Sequence, residues 1–226
     1  MNARRLMLVA ATAVTATAAL FVAWASAGTS STNNAMPGMV MAHATTAQAT
    51  VSQALAAKLA AGRLATAKYA TDLDAAKADG YGIITRDIPD MGWHFLNPKI
   101  SKFDIRKPPI LVYNKRGSQW QLVAFEWVFP KKPAAAPLPG ATYGSFGAAC
   151  HYKDGTFTFT ATQDQCAAKS PQSGAAFGFW HPDLVTLHVW LWYPNPNGLY
   201  AGMNPLMHPF NTAAQSRTTQ VVRRGA

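Results

Sequence analysis

Glu126 is the only glutamate in this 226-residue chain, and it sits inside the apolar run "LVAFEWVF". A carboxylate among large apolar neighbours is costly unless it is paired or bound to a cation. Two-residue alternation puts Leu122, Ala124, Glu126 and Val128 on one strand face, and Val123, Phe125, Trp127 and Phe129 on the other. Both faces are apolar, so burial is expected whichever way the strand turns. An arginine such as Arg86 or Arg106, or an edge position facing water, is the alternative way to accommodate the charge.

Imidazoles are the other chemically capable groups. In "FWHPDLVTLHVWLWYPNPNG" (179–198), His188 alternates with Leu187 and Val189 and shares a face with Trp190 and Trp192. His181 precedes Pro182, which holds it extended. Asp183 is placed to cap the segment after it. His94 lies in "MGWHFLNP" and points away from Trp93 and Phe95 if that piece is extended. Gly92 before it permits a close backbone approach or an unusual dihedral. His151 follows Cys150 directly, and His208 precedes Pro209. A lone core histidine bonded to a carbonyl is a common packing residue. Several imidazoles with one carboxylate form a ligand set for Zn, Mn, Fe or Cu(II). His94, Glu126, His151, His181 and His188 are therefore the expected metal ligands, drawn from separate strands, with copper or zinc as the expected ion. The paired H-x-H pattern of cupin barrels is absent.

A second candidate lies in "MPGMVMAH" (36–43). Met36, Met39, Met41 and His43 offer three thioethers and an imidazole within a short run. Soft sulfur donors select Cu(I). Such runs resemble the metal-binding segments of exported copper-handling proteins.

The elements that must position these residues are read from the texture of the chain. Arg4 and Arg5, the apolar stretch 6–24 and the Ala25-Ser26-Ala27 site read as a signal peptide over 1–27, with a mature chain starting at Gly28. Secretion or a periplasmic location is expected, with no stable membrane anchor after cleavage. Residues 28–50 read as a disordered tether. Residues 51–79 read as one helix or two, with Gly62 as a possible kink and Gly80 as the stop. Beyond residue 81 the chain turns aromatic and β-branched. "ILVY" (110–113) and "QWQLVAFEWVF" (119–129) read as a hairpin. Asp154-Gly155 centres a second, and 184–193 reads as a strand. "NPLMHPF" (204–210) is a loop able to fold back, and 213–226 is a flexible tail. The expectation is a single α+β domain over 51–212, an N-terminal helix packed on a mainly antiparallel sheet, sandwich or half-barrel.

Cys150 and Cys166 pair naturally into one bridge in an oxidising compartment. The net charge is +10, and it falls by two when Arg4 and Arg5 leave. It reflects scarce acids rather than a basic cluster. No recognition helix or RNP motif is present, so nucleic acid is not an expected partner. A metal ion or a small molecule is. G-x-S-x-G, Walker and H-E-x-x-H signatures are all missing.

The runs "AKYATDLDAAKADGY", "MGWHF", "LVAFEWVFP" and "HPDLVTLHVWLWYPNPNGLYAGMNP" resemble a group of exported bacterial proteins of unassigned role. The resemblance covers most of 65–210, and the closing run is its most specific part. It implies an exported single domain and supplies no catalytic residues. Three readings stand: an exported metal-binding protein with a His/Glu site, a small apolar ligand binder with a Trp-lined pocket, or an enzyme using the same metal site.

Overall fold

The computed structural model describes residues 46–207, with side chains from residue 53 onward. The signal segment, the Met36–Met39–Met41–His43 cluster and His208 lie outside the described residues.

Among the described residues two α-helices come first. α1 spans Thr46–Ala65 and α2 spans Leu73–Ala78, with a 3-10 turn at Ala67–Tyr69 between them. α1 begins ahead of Val51, and Gly62 lies within it instead of dividing it. A Cβ at Gly62 would stand 2.9 Å from the Ile105 carbonyl oxygen, so the glycine is there for close approach. The break falls at Thr66, whose hydroxyl donates to the Gly62 carbonyl at 2.8 Å. Asp72 caps α2, accepting from the Ala75 N–H at 2.9 Å. Gly80 ends that helix at φ +98°.

Nine strands follow among the described residues: β1 (Gly82–Ile88), β2 (Gly92–Leu96), β3 (Ile110–Arg116), β4 (Gln119–Phe129), β5 (Gly144–Phe146), β6 (Ala149–Tyr152), β7 (Phe157–Phe159), β8 (Phe177–His181) and β9 (Leu184–Val189). The first sheet has the order β1-β2-β3-β4-β9-β5 and the second β7-β6-β8. Every strand pair is antiparallel. The architecture is α+β, with the large sheet curled into a half-barrel. Both expected hairpins form, β3–β4 through Gly117-Ser118 and β6–β7 around Asp154-Gly155.

One face of the large sheet carries Phe95, Leu111, Phe125, Trp127, Leu187 and Val189, all almost fully buried. They form the main core with Tyr69, Leu73 and Ala76 of the helical segment and Leu138 of the proline-rich loop. Each such side chain contributes about 1.5–3 kcal/mol of burial. The Tyr113 hydroxyl donates to the Tyr69 carbonyl at 2.8 Å, tying the 3-10 turn to the sheet. The opposite face faces the small sheet.

The alternation expected along β4 holds from Ala124 to Phe129 and slips before it. Val112 pairs with Ala124 and Tyr113 with Leu122, so Val123 is an extra residue on β4. Leu122 therefore joins the main core with Phe125, while Val123 sits with Val112, Trp190 and Met207. The same bulge explains why β9 stops at Val189 and not at Tyr193. The Val123 carbonyl accepts from the N–H groups of Trp192 and Tyr193, each at 3.1 Å, which draws the chain off the ladder. The described part of the 204–210 loop, residues 204–207, does fold back: Met207 is buried and its sulfur accepts from the Asn114 side-chain amide.

Candidate metal centre

Register brings three residues from three strands to one face. Glu126 stands opposite His188 of β9 and opposite Ile110 of β3. His94 of β2 stands opposite Val112, two residues along β3 from Ile110. Directly opposed residues and residues two apart share a face, so His94, Glu126 and His188 converge on the side facing the small sheet. All three are buried, at 2%, 6% and 3% exposure. His94 Nε2 lies 3.5 Å from Glu126 Oε2, and His188 Nε2 lies 3.5 Å from Glu126 Oε1. One ligand atom from each of the three lies within 4.8 Å of the others.

Second contacts aim the histidines. Thr85 Oγ1 of β1 lies 2.7 Å from His94 Nδ1, which leaves Nε2 turned toward Glu126. Two residues before His94, Gly92 lets β2 lie close against β3. It has φ +111°, and a Cβ there would collide with the Tyr113 carbonyl oxygen. His188 Nε2 has no hydrogen-bond partner among the described residues.

Burial dominates the electrostatics. It raises Glu126 to about 8. Burial, then repulsion from His188, lowers His94 to about 3, and burial lowers His188 to about 4. Near neutral pH, without a cation, the group is thus a neutral acid between two neutral imidazoles. The two 3.5 Å approaches are not ion pairs in that state, and they are long for good hydrogen bonds. The arginines considered as partners for Glu126 lie elsewhere. Arg86 bridges to Asp154, and Arg106 lies exposed at the surface while Glu126 is buried.

His151 and His181 lie on the small sheet and meet each other rather than Glu126. Their Nε2 atoms are 3.0 Å apart. His151 Nδ1 lies 2.8 Å from the Ile84 carbonyl oxygen and His181 Nδ1 lies 2.6 Å from that of Pro182. The Cys150–Cys166 disulfide fixes the chain beside His151. His151 stacks on Phe179, ring centroids 4.7 Å apart, and burial lowers it to about 4. Asp183, expected to cap, accepts from the Ala148 N–H at 2.8 Å.

Both groups line one cavity of about 270 Å³ between the two sheets. Its wall is mostly aliphatic and aromatic: Ile84, Ile88, Met91, Ile110, Phe146 and Leu184 are among the residues that line it. The tryptophans expected to line a pocket do not line this one. Trp190 and Trp192 line a different cavity beside α1, with Leu59, Leu191 and Leu199. Sequence reasoning missed Thr85 and the aliphatic wall from β1, since nothing in "GIITRDI" marks it as site-forming. Chemically, two imidazoles and a carboxylate on a buried wall can hold a divalent ion while leaving coordination positions open to the cavity.

No known protein family, no curated protein and no solved structure matches this chain.

Proposed function

We propose that the protein is an exported transition-metal-binding protein whose centre is His94, Glu126 and His188, opening onto an apolar cavity. The observation that carries this reading is the buried group itself. Among the described residues, Glu126 is paired with no Lys or Arg and only approaches two histidines that burial keeps neutral, and His188 Nε2 is buried without a hydrogen-bond partner. A divalent ion satisfies all three at once. It keeps the carboxylate charged, takes both imidazole lone pairs and uses the Thr85 contact to hold His94 in orientation. Tetrahedral coordination at about 2.0–2.1 Å places neighbouring donors roughly 3.3 Å apart, close to the two 3.5 Å separations.

The donor set favours zinc or another borderline first-row ion over a soft Cu(I) ion, which thioethers would attract. An ion held by three protein ligands keeps a position for water or a small molecule, and the apolar wall selects a small, largely apolar one. That arrangement supports metal-assisted chemistry on such a molecule, with the ion acting as Lewis acid.

Export is supported by the Cys150–Cys166 bridge, which persists in oxidising compartments. Among the described residues no helix is long and apolar enough to cross a membrane.

The cavity also supports a second reading. A small apolar ligand occupies it without a metal, and the neutral Glu126 carboxyl serves as its polar anchor. Elemental analysis of protein purified from its own compartment separates the two. The metal reading expects about one ion per chain at this centre, lost in Glu126→Gln. Metal-free protein that neither takes up zinc nor responds to that substitution rejects it and leaves the ligand-binding reading.

A further inference from the structure

We infer that His151 and His181 form a second metal-ion site, separate from the Glu126 centre, on the opposite wall of the same cavity. The inference stands on the hydrogen positions at the two rings. A carbonyl oxygen only accepts. His151 Nδ1 lies 2.8 Å from the Ile84 carbonyl oxygen, and His181 Nδ1 lies 2.6 Å from that of Pro182, so each Nδ1 carries its hydrogen. A neutral imidazole has one N–H and one lone pair. Each Nε2 therefore presents a lone pair, and the two are 3.0 Å apart. Two facing lone pairs repel, and flipping either ring would sacrifice its bond to the carbonyl. A cation between them removes the conflict.

The geometry is that of a site already shaped. At a metal–nitrogen distance of about 2.0–2.1 Å, a 3.0 Å nitrogen separation corresponds to an angle of roughly 95° at the ion. That suits an ion with four or more ligands and does not suit two-coordinate Cu(I), which needs its donors on opposite sides. Nδ1–H donation to a backbone carbonyl is the usual way a metal-bound histidine is oriented. Both rings are further held: His151 is stacked on Phe179 and His181 lies beside Phe146. The disulfide beside His151 and the proline after His181 fix the backbone at both ligands. Both side chains line the cavity, so the remaining coordination positions open into it.

The test is zinc stoichiometry on the full mature chain, by elemental analysis after equilibration with Zn(II) and removal of loose metal. His181→Gln is the chosen variant because His181 is only half-buried, and circular dichroism with an intact disulfide checks its fold. The expected result is two ions per wild-type chain, one in His181→Gln and one in Glu126→Gln. One ion in wild type, lost in Glu126→Gln and kept in His181→Gln, overturns this inference and leaves the proposed function standing. One ion lost in His181→Gln and kept in Glu126→Gln does the reverse. One ion lost in both variants means a single shared centre and overturns the separate site. No ion in wild type overturns both, and a proton shared by the two rings then accounts for the 3.0 Å contact.

Discussion

Glu126 and His188 stand directly across from each other on β4 and β9, with carboxylate oxygen and imidazole nitrogen 3.5 Å apart in a buried wall. Neither side chain finds an ordinary hydrogen-bonded neighbour in the other at that distance. With His94 on the far side of the carboxylate, the pair defines a place for a cation, and its protonation sets how that cation binds.

Metal affinity should therefore depend on one proton. Without metal, Glu126 holds its proton up to about pH 8, while His94 and His188 are already neutral above about pH 4. Binding must displace the Glu126 proton. The Zn(II) association constant is expected to rise about tenfold per pH unit from about pH 5 to 8 and to level off above. Chelator competition across that range measures it. Glu126→Gln should remove the slope and weaken binding by at least about 100-fold, since even outer-shell partners are worth about 10–100-fold. A slope that survives the substitution would show that the proton comes from elsewhere.

The stability of the metal-free protein should peak near about pH 6.5. The folded pKa of Glu126 is raised from 4.5 to about 8, so its stabilisation is present below pH 4.5 and is lost as pH rises toward 8. His94, His188 and His151 are lowered from 6.5 to about 3, 4 and 4. Their contribution is present above pH 6.5 and is lost as pH falls. Below that point the three histidines outweigh Glu126 together with Asp87, which burial raises from 3.8 to about 6; above it Glu126 acts alone. Urea midpoints taken with chelator from about pH 5 to 8.5 should trace this curve. The alkaline limb should flatten in Glu126→Gln.

Gly92→Ala should destabilise the fold by about 1–3 kcal/mol. The residue has φ +111° and faces the Tyr113 carbonyl oxygen with no room for a Cβ. Because β2 carries His94 two residues later, zinc affinity should fall as well. A denaturant midpoint unchanged from wild type would remove the argument that Gly92 shapes the site.

Replacing both Cys150 and Cys166 by serine should cost about 3 kcal/mol, the chain-entropy value for a loop of this length. The bridge spans a sequence separation of 16. Thermal unfolding of the double variant against the oxidised wild type gives the value. Intact mass with and without reductant confirms the bridge in exported protein.

A peptide spanning 34–46, with its three methionines and His43, should bind Cu(I) in preference to Zn(II). Competition against a Cu(I) chelator reads this directly. A peptide that fails to compete leaves the segment without a metal role.

The polar anomalies were legible in the sequence because they break a pattern. A single glutamate within "LVAFEWVF" and a histidine alternating with Leu187 and Val189 mark buried positions by period alone, and Asp154-Gly155 marks its hairpin. The Cys150–Cys166 pairing needed only two cysteines and a compartment. Strand alternation also predicted that His94 turns away from Trp93 and Phe95. Period-two reading failed where a bulge intervened, at Val123, because an extra residue inverts every face assignment beyond it and nothing in the local residue types announces it.

Which imidazoles meet the carboxylate was a matter of tertiary structure. Sequence reasoning made His94, His151, His181 and His188 candidates together, since all four lie on aromatic or Pro/Gly-flanked segments. Strand order separated them. β9 inserts beside β4 and brings His188 opposite Glu126, while β2 reaches the same face across β3. β6 and β8 belong to another sheet, so His151 and His181 face each other instead. Alternation along a strand is a local property of the backbone and can be read from residue types. Strand order and register depend on which distant segments bury their apolar faces together, and only the folded chain expresses that choice.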